Sequence, residues 1–156
     1  MNDYEVILSN IFQEVPVVEG SLREDGYEGL YRDGRIYLEK NLNTLAKKEI
    51  LVEEYFHHKT SVGDIINYKD FESRKQEATA RRMALEALVP LNKLIECAFS
   101  GSIGKYECAE FLEVSPVTLE AAIKHYSSKY GQVHLHNGCI LRFNEYSVTV
   151  LNTGLQ

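Results

Sequence analysis

Glu54-Tyr55-Phe56-His57, within LVEEYFHH, fills the last four places of the pattern H-E-x-x-H, and Glu53 stands at the first. In that pattern two ligands one helical turn apart hold a metal ion, and the Glu beside them takes a proton from the bound water. Residues four apart project from the same face of a helix, which is why paired ligands take that spacing. Two pairs have it here: Glu53 with His57, and Glu54 with His58. The register must therefore be chosen.

Placed on a wheel at about 100° per residue, 45–58 gives one apolar arc from Val52, Leu45, Phe56, Ala46 and Ile50, with Glu53 and His57 inside it. Glu54 lies at the edge of that arc, and His58 lies beyond it on the side of Lys47. A carboxylate and an imidazole in a buried stripe are costly unless paired or coordinated. That selects Glu53 and His57 as ligands and leaves Glu54 as the general base. The other register would put Tyr55 in the base position, where a phenol cannot serve at neutral pH. Glu49 also falls on the arc, and the dipole of the first helical turns accounts for it. A third ligand comes from KQEATARRMALEALVP: Ala80, Ala84, Ala87 and Leu88 make a small-residue stripe, and Glu77 lies on it. Small side chains let two helices approach, so a Glu on that stripe can reach across. Tyr55 and His58 are accessory candidates for steadying an oxyanion.

These residues need helices and a sheet to hold them. The pattern predicts a short amphipathic helix over 4–12 and a strand at 15–20. GLYR and RIYL flank Asp33-Gly34, which suits the positive φ angles of a two-residue type I′ hairpin turn. Asn41 to Thr44 offer N-caps for a helix over 45–58. A loop through Ser61-Val62-Gly63-Asp64 follows, then a helix over 71–87 stopped by Pro90. Shorter helices are expected over 91–99, 105–112 and 116–130, the last with Ser115 as N-cap, Pro116 at the first position and Gly131 as the stop. The alternation from 132 to 151 predicts one or two strands.

Composition narrows the function classes. The chain has 156 residues and a net charge of -6, which argues against an electrostatic grip on nucleic acid or anionic lipid. No apolar run approaches a membrane span, and the N-terminal stretch lacks the features of a signal peptide. Three cysteines without C-x-x-C spacing read as free thiols in a reducing compartment, so the expected location is cytoplasmic.

Taken together, YEGLYRDGRIYLEKNL, KKEILVEEYFHHKTSVGDI and RKQEATARRMALEALVP resemble the ImmA/IrrE-like metallopeptidases, in particular the small forms found in phages and mobile elements of Gram-positive bacteria. The likeness runs from Gly29 to Pro90 and continues more loosely to about residue 131. It implies an α+β, zincin-like fold, mainly helical, with a small antiparallel sheet beside the motif helix. It divides the chain into a metallopeptidase-like core over 1–90 and, over 91–156, a C-terminal helical extension with short strands packed on that core. In the family the second motif is E-x-x-A, matched by Glu77 and Ala80, and it completes a zinc site. The implied role is cleavage of a helix-turn-helix repressor encoded nearby. Glu53 departs from the family's His. A Glu₂His set leaves Zn²⁺ formally neutral, weakens its acidity toward water and shifts preference toward oxygen-loving Mn²⁺ or Fe²⁺. A slow peptidase, one using another metal, and an inert antirepressor or adaptor that binds the repressor uncut all stay open.

Two other features carry competing readings. YECAEFLEVSPVTLEAAIKHY has the cadence of a helix-turn-helix, but Glu110, Glu113 and Glu120 offset Lys124 and His125, so packing or protein docking is expected rather than DNA binding. Arg74, Lys75, Arg81 and Arg82 read as a solvated basic face. His134 and His136 alternate on an expected strand without a partner carboxylate.

Overall fold

In a computed structural model, the structure describes residues 2–60 and 71–152. The expected 61–64 loop lies outside them. The chain divides into two compact units, Met1–Ala84 and Leu85–Gln156, with the division inside a helix.

In the first unit, α1 (Asp3–Phe12) begins at a capping box: the Asn2 side chain accepts from the Glu5 N–H, and the Glu5 carboxylate accepts from the Asn2 N–H. Strand β1 (Val17–Gly20) follows, then a 3-10 turn at Arg23–Asp25, then β2 (Gly29–Arg32) and β3 (Arg35–Glu39). Asp33 and Gly34 close the hairpin with φ of 52° and 74°, as the dipeptide predicts. Strand order is β1-β3-β2. β2 pairs with β3 antiparallel, but β1 pairs with β3 in parallel, Val17 opposite Ile36. The sheet is therefore mixed, which corrects the expectation of a purely antiparallel one. The chain between β1 and β2 stays at the end where β1 finishes, and β2 runs back from there, so β1 and β3 run the same way.

Glu39 fastens that crossover. Its carboxylate, in a side chain only 1% exposed, accepts from the backbone N–H groups of Asn41, Leu22 and Arg23 at 2.7, 2.9 and 3.1 Å. Those three donors lower its pKa from 4.5 to about 2.

Helix α2 (Thr44–Thr60) is started by Asn43, whose side chain accepts from the Ala46 N–H at 2.8 Å. Its buried face is made by Lys48, Leu51 and Val52. Leu51 joins Tyr4, Ile11, Val15, Ile36 and Leu38 in one core, with Ile50 and Tyr55 packed against it. Each such apolar side chain contributes about 1.5–3 kcal/mol when fully buried. Lys48 Nζ reaches Asp3 Oδ2 at 2.8 Å. The predicted arc is thus only partly the core face: Val52 is buried and Ile50 packs on the core, but Leu45 is exposed and Ala46, Phe56, Glu53 and His57 are half-buried. Glu49 lies beyond the first turn, which holds no acidic residue. Helix α3 (Phe71–Leu88) buries Ala80 and Ala84 from the small-residue stripe but leaves Ala87 exposed.

The second unit carries α4 (Leu91–Ser100), α5 (Gly104–Leu112) and α6 (Pro116–Tyr130), then β4 (Val133–His136), β5 (Cys139–Phe143) and β6 (Val148–Asn152). Ser115 accepts from the Thr118 N–H at 3.2 Å as the N-cap of α6, and Gly131, with φ 84°, ends it. The three strands form an antiparallel meander, one more strand than the alternation predicts. Asn137-Gly138, with φ of 49° and 75°, makes a second hairpin turn of the kind at Asp33-Gly34. Among the described residues no helix is long and apolar enough to cross a membrane.

The folded chain keeps Glu39 ionised to lower pH than the unfolded chain does. Its contribution to stability is therefore complete above about pH 4.5 and is lost as pH falls toward 2. Glu39→Gln is expected to lower the melting temperature at neutral pH and to flatten its acid dependence across that window, read by circular dichroism melts from pH 2 to 7.

Candidate active site

The site begins with a glycine. At Gly29 on β2, a Cβ would run into the Ile50 Cγ2 methyl of α2 and sit 3.4 Å from Glu54 Cγ. Because Gly29 has none, α2 lies directly against the strand, and the Tyr31 N–H donates to the Glu54 carboxylate. β2 is an edge strand, half-buried over Gly29–Tyr31. That edge is thus partly accessible, and at Tyr31 it ends in a carboxylate. The Tyr31 side chain turns to α2 as well: its hydroxyl meets His58 Nδ1 at 2.9 Å, and the two rings stack at 5.2 Å.

Glu54 is the perturbed group of this unit. Its pKa is raised from 4.5 to about 7: burial is the largest cause, the Glu53 carboxylate the next, and the Glu77 carboxylate adds a smaller push. The Tyr31 N–H opposes the rise without cancelling it. Glu53, Glu54 and Glu77 therefore share one electrostatic neighbourhood. Glu77 is itself exposed on α3, and His57 is half-buried one turn after Glu53.

Arg81, on the face the sequence marks as solvated, donates through Nη1 to Glu53 Oε2 at 2.9 Å. The sequence held the signal for this, since Arg81 is four residues beyond Glu77 and so projects from the same side of α3. Tyr31 had no comparable signal, because nothing in its local sequence distinguishes it from other strand tyrosines. Of the two accessory candidates, His58 is beside Tyr31, whereas the Tyr55 hydroxyl donates to Glu14 Oε2 at 2.6 Å and Lys59 meets the same carboxylate. His134 and His136 belong to the other unit. His134 stacks on Tyr130 at 3.8 Å, and His136 Nε2 meets Asn92 Oδ1 at 3.0 Å.

Among the described residues, no three His, Cys, Asp or Glu side chains converge on one metal position. Two carboxylates and an imidazole are ligand types a divalent cation accepts, and Arg81 already occupies one of those carboxylates, Glu53. Glu53 and Arg81 are 34% and 43% exposed, and a pair that open is worth about 0–1 kcal/mol. Compared with known protein families, curated proteins and solved structures, the chain matches none.

Three outcomes are expected. A carbon-detected NMR titration should find the Glu54 carboxyl changing protonation near pH 7, and Glu53→Gln should move that midpoint down. The folded chain holds the proton up to about 7 and the unfolded chain only to 4.5, so Glu54 lowers stability as pH rises through that interval. Glu54→Gln should therefore melt higher than wild type at pH 8 and differ less at pH 4. Gly29→Ala should cost about 1–3 kcal/mol in urea denaturation, because α2 must move off β2.

Proposed function

We propose that the chain is a metal-dependent endopeptidase acting in the cytoplasm, with Glu54 as its general base and Glu53, His57 and Glu77 as the residues that hold the cation. The observation that carries this reading is the placement of Glu54: half-buried, against an edge strand, with a pKa near 7. A group that exchanges a proton at neutral pH needs a pKa in that range. A carboxylate kept only for packing gains nothing from burial beside two others.

When bound, zinc, or manganese or iron in this oxygen-rich set, supplies the Lewis acidity that acidifies water and polarises a carbonyl. The chain's own residues do the remainder. Glu54 accepts the proton of the attacking water and returns it to the leaving amine. The β2 edge takes an extended peptide by strand addition, which would bring a backbone carbonyl beside the same carboxylate. The zincin-like fold and the substrate come from the family resemblance: a helix-turn-helix repressor of a phage or mobile element.

The Arg81–Glu53 ion pair favours a second reading. It satisfies Glu53 without a metal, as suits an antirepressor or adaptor that binds the repressor and leaves it whole.

Elemental mass spectrometry of protein purified without chelator or histidine tag separates the two. The peptidase reading expects near-stoichiometric metal in wild type and loss of it in Glu53→Ala and His57→Ala. It expects Glu54→Gln to keep the metal while cleavage of a co-expressed repressor falls by about 10²–10⁴-fold. Protein that stays metal-free after dialysis against zinc and manganese, yet captures the repressor intact, is the adaptor.

A further inference from the structure

A second candidate for chemistry lies in the other unit. Cys97 on α4 and Cys108 on α5 are buried, at 3% and 2% exposed, and both are free thiols. They face the same cavity of about 320 Å³, whose wall also includes Leu94, Ser102, Leu112 and Tyr146. The two side chains are hydrogen-bonded to each other, and Cys108 Sγ donates onward to the Ser102 carbonyl at 3.6 Å. Ser102 thus touches both thiols, through its side chain at Cys97 and through its carbonyl at Cys108. From this arrangement we infer that Cys97 and Cys108 are a dithiol site that closes reversibly to a disulfide, fastening α4 to α5.

Two thiols held in contact by secondary structure need little movement to bond, and the cavity admits an oxidant as small as hydrogen peroxide. Burial, with the Cys108 side chain next in weight, pushes the Cys97 thiol up to about 12, so Cys97 keeps its proton. We take Cys108, bonded to the Ser102 carbonyl beside the cavity, as the sulfur that reacts first. Its sulfur attacks the peroxide, an S–O bond forms, the O–O bond breaks, and one water leaves. Cys97 then attacks the resulting sulfenic sulfur, the S–S bond forms, and the S–O bond breaks with loss of a second water. Two thiols and one peroxide become a disulfide and two waters, with the two electrons passing from sulfur to oxygen. The high Cys97 pKa makes the second step slow at neutral pH and faster in alkali. The inference stands apart from the Glu54 site and does not depend on it.

Peroxide treatment of the full chain, followed by thiol counting and tryptic mapping, tests it. Cleavage after Lys105 places Cys97 in peptide 94–105 and Cys108 in peptide 106–124, while Cys139 falls in 130–142. The titre should fall from three thiols to one, with 94–105 joined to 106–124, and dithiothreitol should restore all three. The oxidised chain should melt at higher temperature, because the cross-link restricts the unfolded chain. Cys139→Ser should still form the link. A titre that stays at three, sulfinic acid on either cysteine without a link, or a link to peptide 130–142 would overturn the proposal.

Discussion

The close approach of β2 to α2 at Gly29 is the constraint on which the site depends. Without a Cβ there, Ile50 and the Glu54 methylenes lie against strand backbone rather than against a side chain. Water is thereby thinned around the Glu54 carboxylate, and the Tyr31 N–H becomes its hydrogen-bond donor. One missing methyl group thus sets both the desolvation and the polar contact of the candidate base. The rest of the unit holds that geometry. Leu51 anchors α2 in the core, Lys48 ties it to α1 through Asp3, and Lys47 reaches Glu19 on β1 at 2.9 Å. Tyr4 donates to the same Glu19 at 2.7 Å, so helix, strand and helix share one carboxylate.

Charge in this neighbourhood is unbalanced in a way that separates it from an ordinary helix surface. Three carboxylates, Glu53, Glu54 and Glu77, act on one another, and Arg81 is bonded to Glu53. On a solvated surface such repulsion is screened within about 8 Å at physiological salt. Around Glu54 it is not, because burial against β2 removes the screening solvent. Burial raises the Glu54 pKa most, and the neighbouring carboxylates add to it. A proton on Glu54 relieves the repulsion, and so would a bound cation. These two solutions exclude each other in part, since a cation at Glu53 and Glu77 would return Glu54 toward the ionised form that a general base requires.

How much of this was legible in the sequence depended on the range of the interaction that decides each feature. The Asp33-Gly34 turn, the Asn43 and Ser115 caps and the Gly131 stop are local, and each sits where its residue type predicts. The spacing of Glu53, Glu54, His57 and Glu77 was also readable, and in the structure the Glu53 and Glu77 carboxylates each act on the charge of Glu54. The buried face of α2 was misread because its core stripe includes Lys48 and Tyr55, which a wheel counts as polar, while Leu45 and Phe56 supplied apolar weight on the other side. The parallel pairing of β1 with β3 was invisible because a non-local clasp, Glu39 on Leu22 and Arg23, fixes the crossover. Arg81 was misjudged for the same reason: its partner lies on another helix.

Tyr31 draws these threads into one mechanical unit. Its backbone N–H is bound by Glu54 and its hydroxyl by His58, so consecutive turns of α2 grip both ends of one strand residue. A carboxylate is a stronger acceptor than a carboxylic acid. Ionised Glu54 therefore holds the β2 edge firmly, and protonated Glu54 holds it more weakly. A base in the place of Glu54 would pass through both forms, and the edge would then loosen on protonation and tighten on ionisation. A binding protein without chemistry would have no such alternation, and its Glu54 would remain in whichever form the ambient pH dictates.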